Sequence, residues 1–426
     1  MAGGPRVAVI GGGWAGLAAA IEAVRRDFRV TLYEMAPQLG GRARAIQVDG
    51  IPLDNGQHIG IGAYSETLRL MRDLGLSESD VFVRTPLRLV DAHGRGFVLG
   101  AGSPVAAFAL AVVRHPAWTW FEKLSLLRTA AAWLVSGFKS RSDQTVAELT
   151  SGLRQRVRTD LVEPLCVAAL NTPSSSASAQ VFLRVLNDAL FSGRGSADLL
   201  LPRVSLGDAL PAPADRWLRS AGADLRLRHR VNRVSAVDGG WRVDDEQFEG
   251  VVLAASALES ARIAASIAPN WSSVAAALPY APIITVYMSS PDAVLPWPML
   301  ALIADQRRPA QFVFDRGQLG APRGLMAFVI SGADAWVDAG IEATVTATRD
   351  QAEEALGPWL RGPLTVTQVV TEKRATFRCV PGLRRPPTSI ARNFVAAGDF
   401  VEGPYPSTLE GAIRSGLGAA RALDAA

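Results

Sequence analysis

The 426-residue chain has little of what metal, thiol or disulfide chemistry rests on. It holds two cysteines, Cys166 and Cys379, too far apart in the sequence for a CxxC zinc or redox motif and too few for a disulfide framework. Its four histidines, His58, His93, His115 and His229, are scattered and form no HExxH, so no metal site is expected. Only 20% of residues are charged, and nowhere do five of one sign run together. With 44 Lys and Arg against 40 Asp and Glu the net charge is +4, so nucleic acid is not an expected partner despite a pI near 9.4. Uncharged stretches over 96–113 and 263–291 are interrupted by Gly or Pro and do not read as membrane-spanning helices. The opening MAGGPRVAVIGGG has too short an apolar stretch for a signal peptide. Cytoplasm is therefore the expected location. A mean hydropathy of +0.16, oily for an enzyme of this length, leaves peripheral contact with the inner membrane open. With 49% hydrophobic residues the chain can bury a large core, and its length suits two or three domains.

What is present begins at once. Arg6–Ile10 is a short β-branched run of the buried parallel-strand type. Gly11-Gly12-Gly13-Trp14-Ala15-Gly16 follows, then an Ala-rich helical stretch, then a second strand over Arg29–Glu34. This is a βαβ unit with GxGxxG at the strand-to-helix turn. Gly11 allows the turn, Gly13 lets backbone approach a pyrophosphate, and Gly16 lets the helix pack on the sheet. Trp14 and Ala15 sit at the helix start, where free N–H groups and the helix dipole favour an anion. Glu34 ends the second strand, where a carboxylate accepts from both ribose hydroxyls and repels a ribose phosphate; NADP is disfavoured there. The pattern predicts a dinucleotide site. Beyond Glu34, Gly40-Gly41-Arg42 and Arg44 suit a loop crossing a longer, phosphate-bearing cofactor, although a plain glycine turn with solvated arginines has the same letters.

The C-terminal stretch adds a second half-site. Asn393–Ala397 reads as a strand running into Gly398-Asp399, and Ser407-Thr408 as the cap of a helix reaching about Leu423. Asp399 at a strand end can hold a ribityl hydroxyl. The helix start behind Ser407 and Thr408 can face the flavin's pyrimidine edge, where reduced flavin is anionic.

VAVIGGGWAGLAAA, LYEMAPQLGGRA and AAGDF with STLEGAIRSG together resemble the FAD-dependent amine-oxidase and phytoene-desaturase superfamily. Finer segments resemble one branch, the squalene-associated FAD-dependent desaturases now understood as hydroxysqualene dehydroxylases. These are Leu53-Asp54-Asn55-Gly56-Gln57-His58, Pro164-Leu165-Cys166 with Ala168–Pro173, and Lys373–Phe377. Where that pattern has Gly-Asp-Trp, this chain has Gly398-Asp399-Phe400. The resemblance implies FAD as cofactor, an α/β fold with a Rossmann-like FAD domain assembled from discontinuous segments, and an adenine contact at the backbone around Val231. It also implies a reductive reaction: reduced flavin gives hydride to an isoprenoid lipid, hydroxysqualene, which loses its hydroxyl as water to become squalene. Departure of water needs a proton donor. Within the matching segments His58, Asp54 and Glu163 are the candidates, and Asn171 can hydrogen-bond the substrate hydroxyl. Each also has a structural reading: Asp54 bonding backbone amides in the Asp-Asn-Gly turn, Glu163 capping or pairing on a helix, Asn171 ending one before Pro173. No second framed GxGxxG exists, so the electron donor to the flavin is left undefined. An oxidising relative (a carotenoid-type desaturase or an amine oxidase) and a prenyl-lipid carrier are the competing readings. The carrier is disfavoured by the intact set of Glu34, Arg42 and Asp399.

The middle of the chain divides by composition. Residues 1–90, 197–262 and 365–426 are assigned to the FAD domain, and 91–196 with 263–364 to an α+β substrate domain combining a mixed sheet with apolar helices. Val105–Phe138 mixes Trp118, Trp120, Phe121 and Trp133 with Arg114, Lys123 and Arg128. Such helices pack in a core or lie in a membrane interface and admit a lipid.

Overall fold

In the computed structural model, residues 4–100 and 102–424 are described. The expected βαβ unit forms. Strand Arg6–Ile10 feeds helix Trp14–Arg25, whose alanines, Leu17 and Ile21 are buried, and strand Arg29–Glu34 pairs parallel with the first. Arg25 in the last turn complements the helix dipole, and Asp27, at φ +63°, ends the helix in a left-handed turn. The sheet grows by distant segments. Its order is Asp224–Leu227, Arg29–Glu34, Arg6–Ile10, Gly250–Leu253, Phe394–Ala396, Ser389–Ala391, parallel except at the last edge. Gly250–Leu253 is buried at every position, as a central parallel strand must be.

The C-terminal helix Leu409–Arg421 packs directly on Trp14–Arg25. A glycine makes this crossing close: a Cβ on Gly416 would lie 2.1 Å from the Ala15 carbonyl oxygen. Gly16 is used the same way against the sheet, where a Cβ would fall 1.9 Å from the carbonyl oxygen of Gly11. Both are places where only hydrogen fits.

A second, five-stranded antiparallel sheet runs Met299–Ala301, Phe312–Asp315, Leu325–Ser331, Tyr280–Ser289, Thr365–Phe377. Thr365–Phe377 was grouped by sequence with the cofactor segments; it is hydrogen-bonded along its length to Tyr280–Ser289 and so lies in this second sheet. The stretch 224–237, in which Leu225, Leu227, Val231 and Val234 alternate with polar residues as in a single strand, is divided. Asp224–Leu227 joins the parallel sheet, whereas Val234–Val237 starts a small antiparallel meander with Gly240–Val243 and Glu246–Phe248. Residues 104–191 are mainly helical: Pro104–Arg114, Trp120–Val135, Glu163–Leu170 and Ala179–Phe191 are the long pieces, with a π-turn at Arg158–Val162. One hydrophobic core runs from these helices to the inner faces of both sheets. Among the described residues no helix is long and apolar enough to cross a membrane.

Candidate functional site

A cavity of about 610 Å³ lies where the two sheets and the helices meet. Its walls include Gly11, Gly13, Trp14, Ala15, Glu34 and Gly41 from the N-terminal unit. They also include Val231 from the middle, and Gly398, Asp399, Ser407 and Thr408 from the C-terminal segment. Residues nearly four hundred positions apart thus share one surface. Gly16 lies outside the lining; its place is the helix–sheet contact just described.

The N-terminal helix begins at Gly13 with no side chain capping it and no acidic residue in its first turn. Its first N–H groups are left for another anion. The loop Gly40–Gly41 crosses this point: Gly40 donates its N–H to the Gly12 carbonyl at 2.8 Å, and a Cβ on Gly41 would come within 3.1 Å of the Gly13 Cα. The two glycine turns form a bare backbone cradle that a side chain would fill. Beside it Glu34, 8% exposed, accepts from the Gly12 N–H and the Ala36 N–H, both at 2.7 Å. Each bond goes to a different carboxylate oxygen, so each keeps acceptor capacity toward the cavity. The sequence pointed to ribose hydroxyls as the partners of Glu34; it did not reveal that the same carboxylate also braces the glycine turn.

At the other end Arg42 does more than supply charge. Its guanidinium pairs with Asp399 and donates to the Ala375 carbonyl at 2.7 Å. The Ser407 hydroxyl donates to the second oxygen of Asp399. Burial opposes the charged guanidinium, yet the Asp399 carboxylate holds the Arg42 pKa above its usual value. Arg42 therefore ties the loop after the second strand to the C-terminal segment. Thr408 caps Leu409–Arg421 by accepting from the Gly411 N–H at 3.0 Å. Glu410, fully buried, caps a second helix, Ser65–Asp73, accepting from the N–H groups of Glu66 and Thr67 and from the Thr67 hydroxyl. The residue was legible only as an acid in its own helix's first turn; its partner lies 343 positions away.

The catalytic candidates separate. His58 lines the cavity, and its Nδ1 donates to the Gly56 carbonyl at 2.8 Å. Burial lowers its pKa, the Gly56 bond pulls the other way, and the Arg42 charge lowers it further. The ring is thus neutral near pH 7 with Nε2 as an acceptor. Asn171 also lines the cavity, but its amide is already engaged. Nδ2 donates to Thr376 Oγ1 at 2.9 Å, Oδ1 accepts from the Gly332 N–H at 2.6 Å, and at φ +47° the residue caps the C-terminus of Glu163–Leu170. Asp54 and Glu163 are not in the wall. Asp54 is 1% exposed; one oxygen accepts from the Leu206 N–H at 2.7 Å and the other has no partner among the described residues. Burial pushes its pKa up to about 6. The bond to Leu206, in a different segment, replaces the turn amides expected from sequence. Glu163 accepts from the Ser174 N–H at 3.2 Å and fastens a loop. Cys166 is buried, its thiol donating to the Thr172 carbonyl, and burial raises its pKa far above the thiol range, which keeps the thiol protonated.

Away from the cradle the wall turns apolar: Phe97, Phe108, Phe182, Phe312 and Phe314 are among its residues. Tyr405, also in the wall, has Arg184 and Arg414 guanidinium carbons each 5.2 Å from its ring centroid. Its cation-binding face is already taken. Among the described residues no group of three or more His, Cys, Asp or Glu is placed to hold a metal ion.

The donor set suits FAD. When FAD is bound, the uncapped helix start and bare glycine backbone would hold a pyrophosphate, Glu34 would take a ribose, and the Asp399–Ser407–Thr408 corner at a helix N-terminus would take the flavin end. Comparison with known proteins agrees. The model of the family described as flavin containing amine oxidoreductase matches residues 14–424. Hydroxysqualene dehydroxylases from Sinorhizobium fredii and Rhodopseudomonas palustris are 26% and 28% identical to this chain, each over 97% of both proteins. The 15-cis-phytoene desaturase of Synechococcus elongatus is 23% identical over 98% of this chain and 95% of its own. Among solved structures, cyclohexylamine oxidase from Brevibacterium oxydans has the same fold, with a TM-score of 0.70 at 17% identity over 98% of each chain. The chain belongs to the flavin containing amine oxidoreductase family and is an FAD-dependent oxidoreductase.

Proposed function

We propose that the protein removes the hydroxyl group of hydroxysqualene, giving squalene and water. The observation that carries this reading is the cavity itself: one continuous space, polar where the two chain ends meet and lined by apolar and aromatic side chains beyond. Likeness to proteins named hydroxysqualene dehydroxylase over nearly the whole chain supports it. Bound in its reduced form, FAD supplies the hydride that replaces the departing oxygen. The balance is then alcohol plus the hydride and the proton carried by the two-electron-reduced flavin, giving hydrocarbon, water and oxidised flavin.

The residues divide this work. The apolar wall keeps water out, which strengthens every electrostatic interaction inside. His58, neutral, does not fit the role of proton donor. Its Nε2 accepts from the substrate hydroxyl and points the carbon–oxygen bond. Asn171 holds the Thr376 side chain in the wall by donating to its oxygen, leaving the threonine O–H free to donate to the leaving oxygen. Arg42, Asp399 and Ser407 fix the cofactor corner against the second sheet through Ala375.

The test is anaerobic incubation of the flavin-loaded, dithionite-reduced protein with hydroxysqualene, with products separated by mass. Squalene formed in step with flavin oxidation is the expected result. No conversion of hydroxysqualene, with turnover of phytoene by the oxidised enzyme instead, would assign the protein to the desaturases.

A further inference from the structure

Helices Pro104–Arg114 and Trp120–Val135 carry an apolar face that none of the described residues covers. Phe121, Leu124, Arg128, Ala131 and Val135 follow one another at three- and four-residue steps and all but Ala131 and Arg128 are large apolar groups in water; Phe121 is 73% and Val135 89% exposed. Leu126, on the opposite side, is buried. The preceding helix repeats the pattern with Ala106, Leu110 and Val113 exposed and Val112 buried. The two faces meet at the turn between the helices, where Lys123 donates to the Val113 carbonyl at 2.7 Å and stands over the exposed Trp120 ring. A contiguous apolar surface of this kind marks a docking site.

Charge identifies the partner. Arg114, Arg128 and Lys139 are exposed and, among the described residues, make no salt bridge. The acidic groups nearby are spent: Glu122 closes the capping box with Thr119, and Asp143 pairs with Arg141. Unpaired cations around an apolar, Trp- and Phe-bearing face match an anionic bilayer surface, where aromatics sit at the headgroup level and lysines and arginines at the phosphates. Behind this face, between the two helices and Ala179–Phe191, lies a second pocket of about 210 Å³ with only apolar and aromatic residues in its wall. It shares Phe108, Leu165, Phe182, Leu186 and Leu190 with the main cavity.

We propose that this face docks on an anionic lipid bilayer, and that the pocket behind it is the throat through which an apolar chain passes from the bilayer into the cavity. Docking stands independently of the dehydroxylation reading; passage of substrate rests on it. The flavin-loaded protein is sedimented with vesicles of phosphatidylglycerol and phosphatidylcholine, and with vesicles of phosphatidylcholine alone. Partitioning at least tenfold stronger onto the anionic vesicles is expected, reduced by high salt as screening predicts. Trp120→Ser with Phe121→Ser, both outside either cavity wall, loses at least tenfold on anionic vesicles. Arg114→Glu with Arg128→Glu abolishes the preference for them. Flavin absorbance and Tm equal to wild type show that the variants are folded. Turnover of detergent-dispersed hydroxysqualene is unchanged in the Trp120/Phe121 variant, whereas turnover of vesicle-borne substrate falls. Absence of turnover in every format with vesicle binding intact would remove the substrate reading and leave docking. Wild-type protein that ignores both vesicles, a Trp120/Phe121 variant that binds as wild type does, or a solution dimer that this variant dissociates would overturn the proposal.

Discussion

Gly416→Ala is the substitution that most directly probes how the cofactor corner is built. A Cβ there would sit 2.1 Å from the Ala15 carbonyl oxygen and 3.1 Å from the Ala18 Cβ, with backbone rather than a flexible side chain as the obstacle. Restoring tolerable contact requires the Leu409–Arg421 helix to retreat by about 1 Å, because packed interiors do not compress to absorb it. Overpacking of this kind costs about 1–3 kcal/mol. Gly418, two residues on, is the internal control: a Cβ there meets nothing within 4 Å. Gly418→Ala should gain about 0.5–1 kcal/mol from helix propensity alone. In a chain this long, at about 2.1 cal/mol/K per residue, 1 kcal/mol moves Tm by only roughly 1 °C, so melting is a poor discriminator. Cofactor affinity is a better one, because the displaced helix carries Thr408 at its start, next to Ser407 and Asp399. FAD titrated into apoprotein and followed by quenching of flavin fluorescence should show a loss of at least tenfold for Gly416→Ala and none for Gly418→Ala. Equal affinity in both would mean that the C-terminal helix does not position the cofactor, and the two-ended site would have to be abandoned.

Glu34→Ala removes the acceptor of the Gly12 and Ala36 N–H groups as well as the ribose contact; leaving buried donors unpaired costs about 1–3 kcal/mol each, and the flavin-to-protein ratio after dialysis should drop well below that of wild type. His58→Ala should lower kcat at least tenfold while flavin occupancy is unchanged. Because burial lowers the His58 pKa and the neutral ring is the working form, the wild-type rate should hold through pH 6.5 and fall only at more acidic pH. Asp54 has its folded pKa raised from 3.8 to about 6, so its contribution to stability is fullest below the unfolded value and is lost as pH rises through about 6. Relative to Asp54→Asn, which lacks this titration, the wild-type protein should lose roughly 2 kcal/mol between pH 4 and pH 7, read as the difference in urea midpoints. Parallel profiles would show that Asp54 is not desolvated in the folded state.

The parts of this molecule legible in its sequence are those whose signal is local. The first strand, the glycine turn and the acid at the end of the second strand lie within a short stretch, and each residue's role follows from its neighbours. The C-terminal cap at Thr408 is read from its own helix. What escaped is long-range. The alternation over 224–237 does not say that the chain leaves one sheet for another after Leu227. Asp54 in an Asp-Asn-Gly turn gives no hint that its acceptor oxygen turns to Leu206. Arg42 reads as a phosphate ligand, and only the fold reveals its pairing with Asp399 and its bond to Ala375. Asn171 resembled a substrate ligand because nothing in the Ala-Ala-Leu-Asn run shows that both ends of its amide would be engaged, by Thr376 and Gly332.

The split of the cradle between residues 11–42 and 398–421 also bears on when the enzyme becomes able to hold its flavin. While the chain is being synthesised, the glycine turn and Glu34 emerge hundreds of residues before Asp399 and the helix that seats against Ala15. The early half can order its own strands, but its loop arginine has no carboxylate to grasp. With the cofactor held as proposed, flavin capture is a late event in biogenesis, and a ribosome stalled short of the last helix would display a nascent chain that lacks half of the cradle.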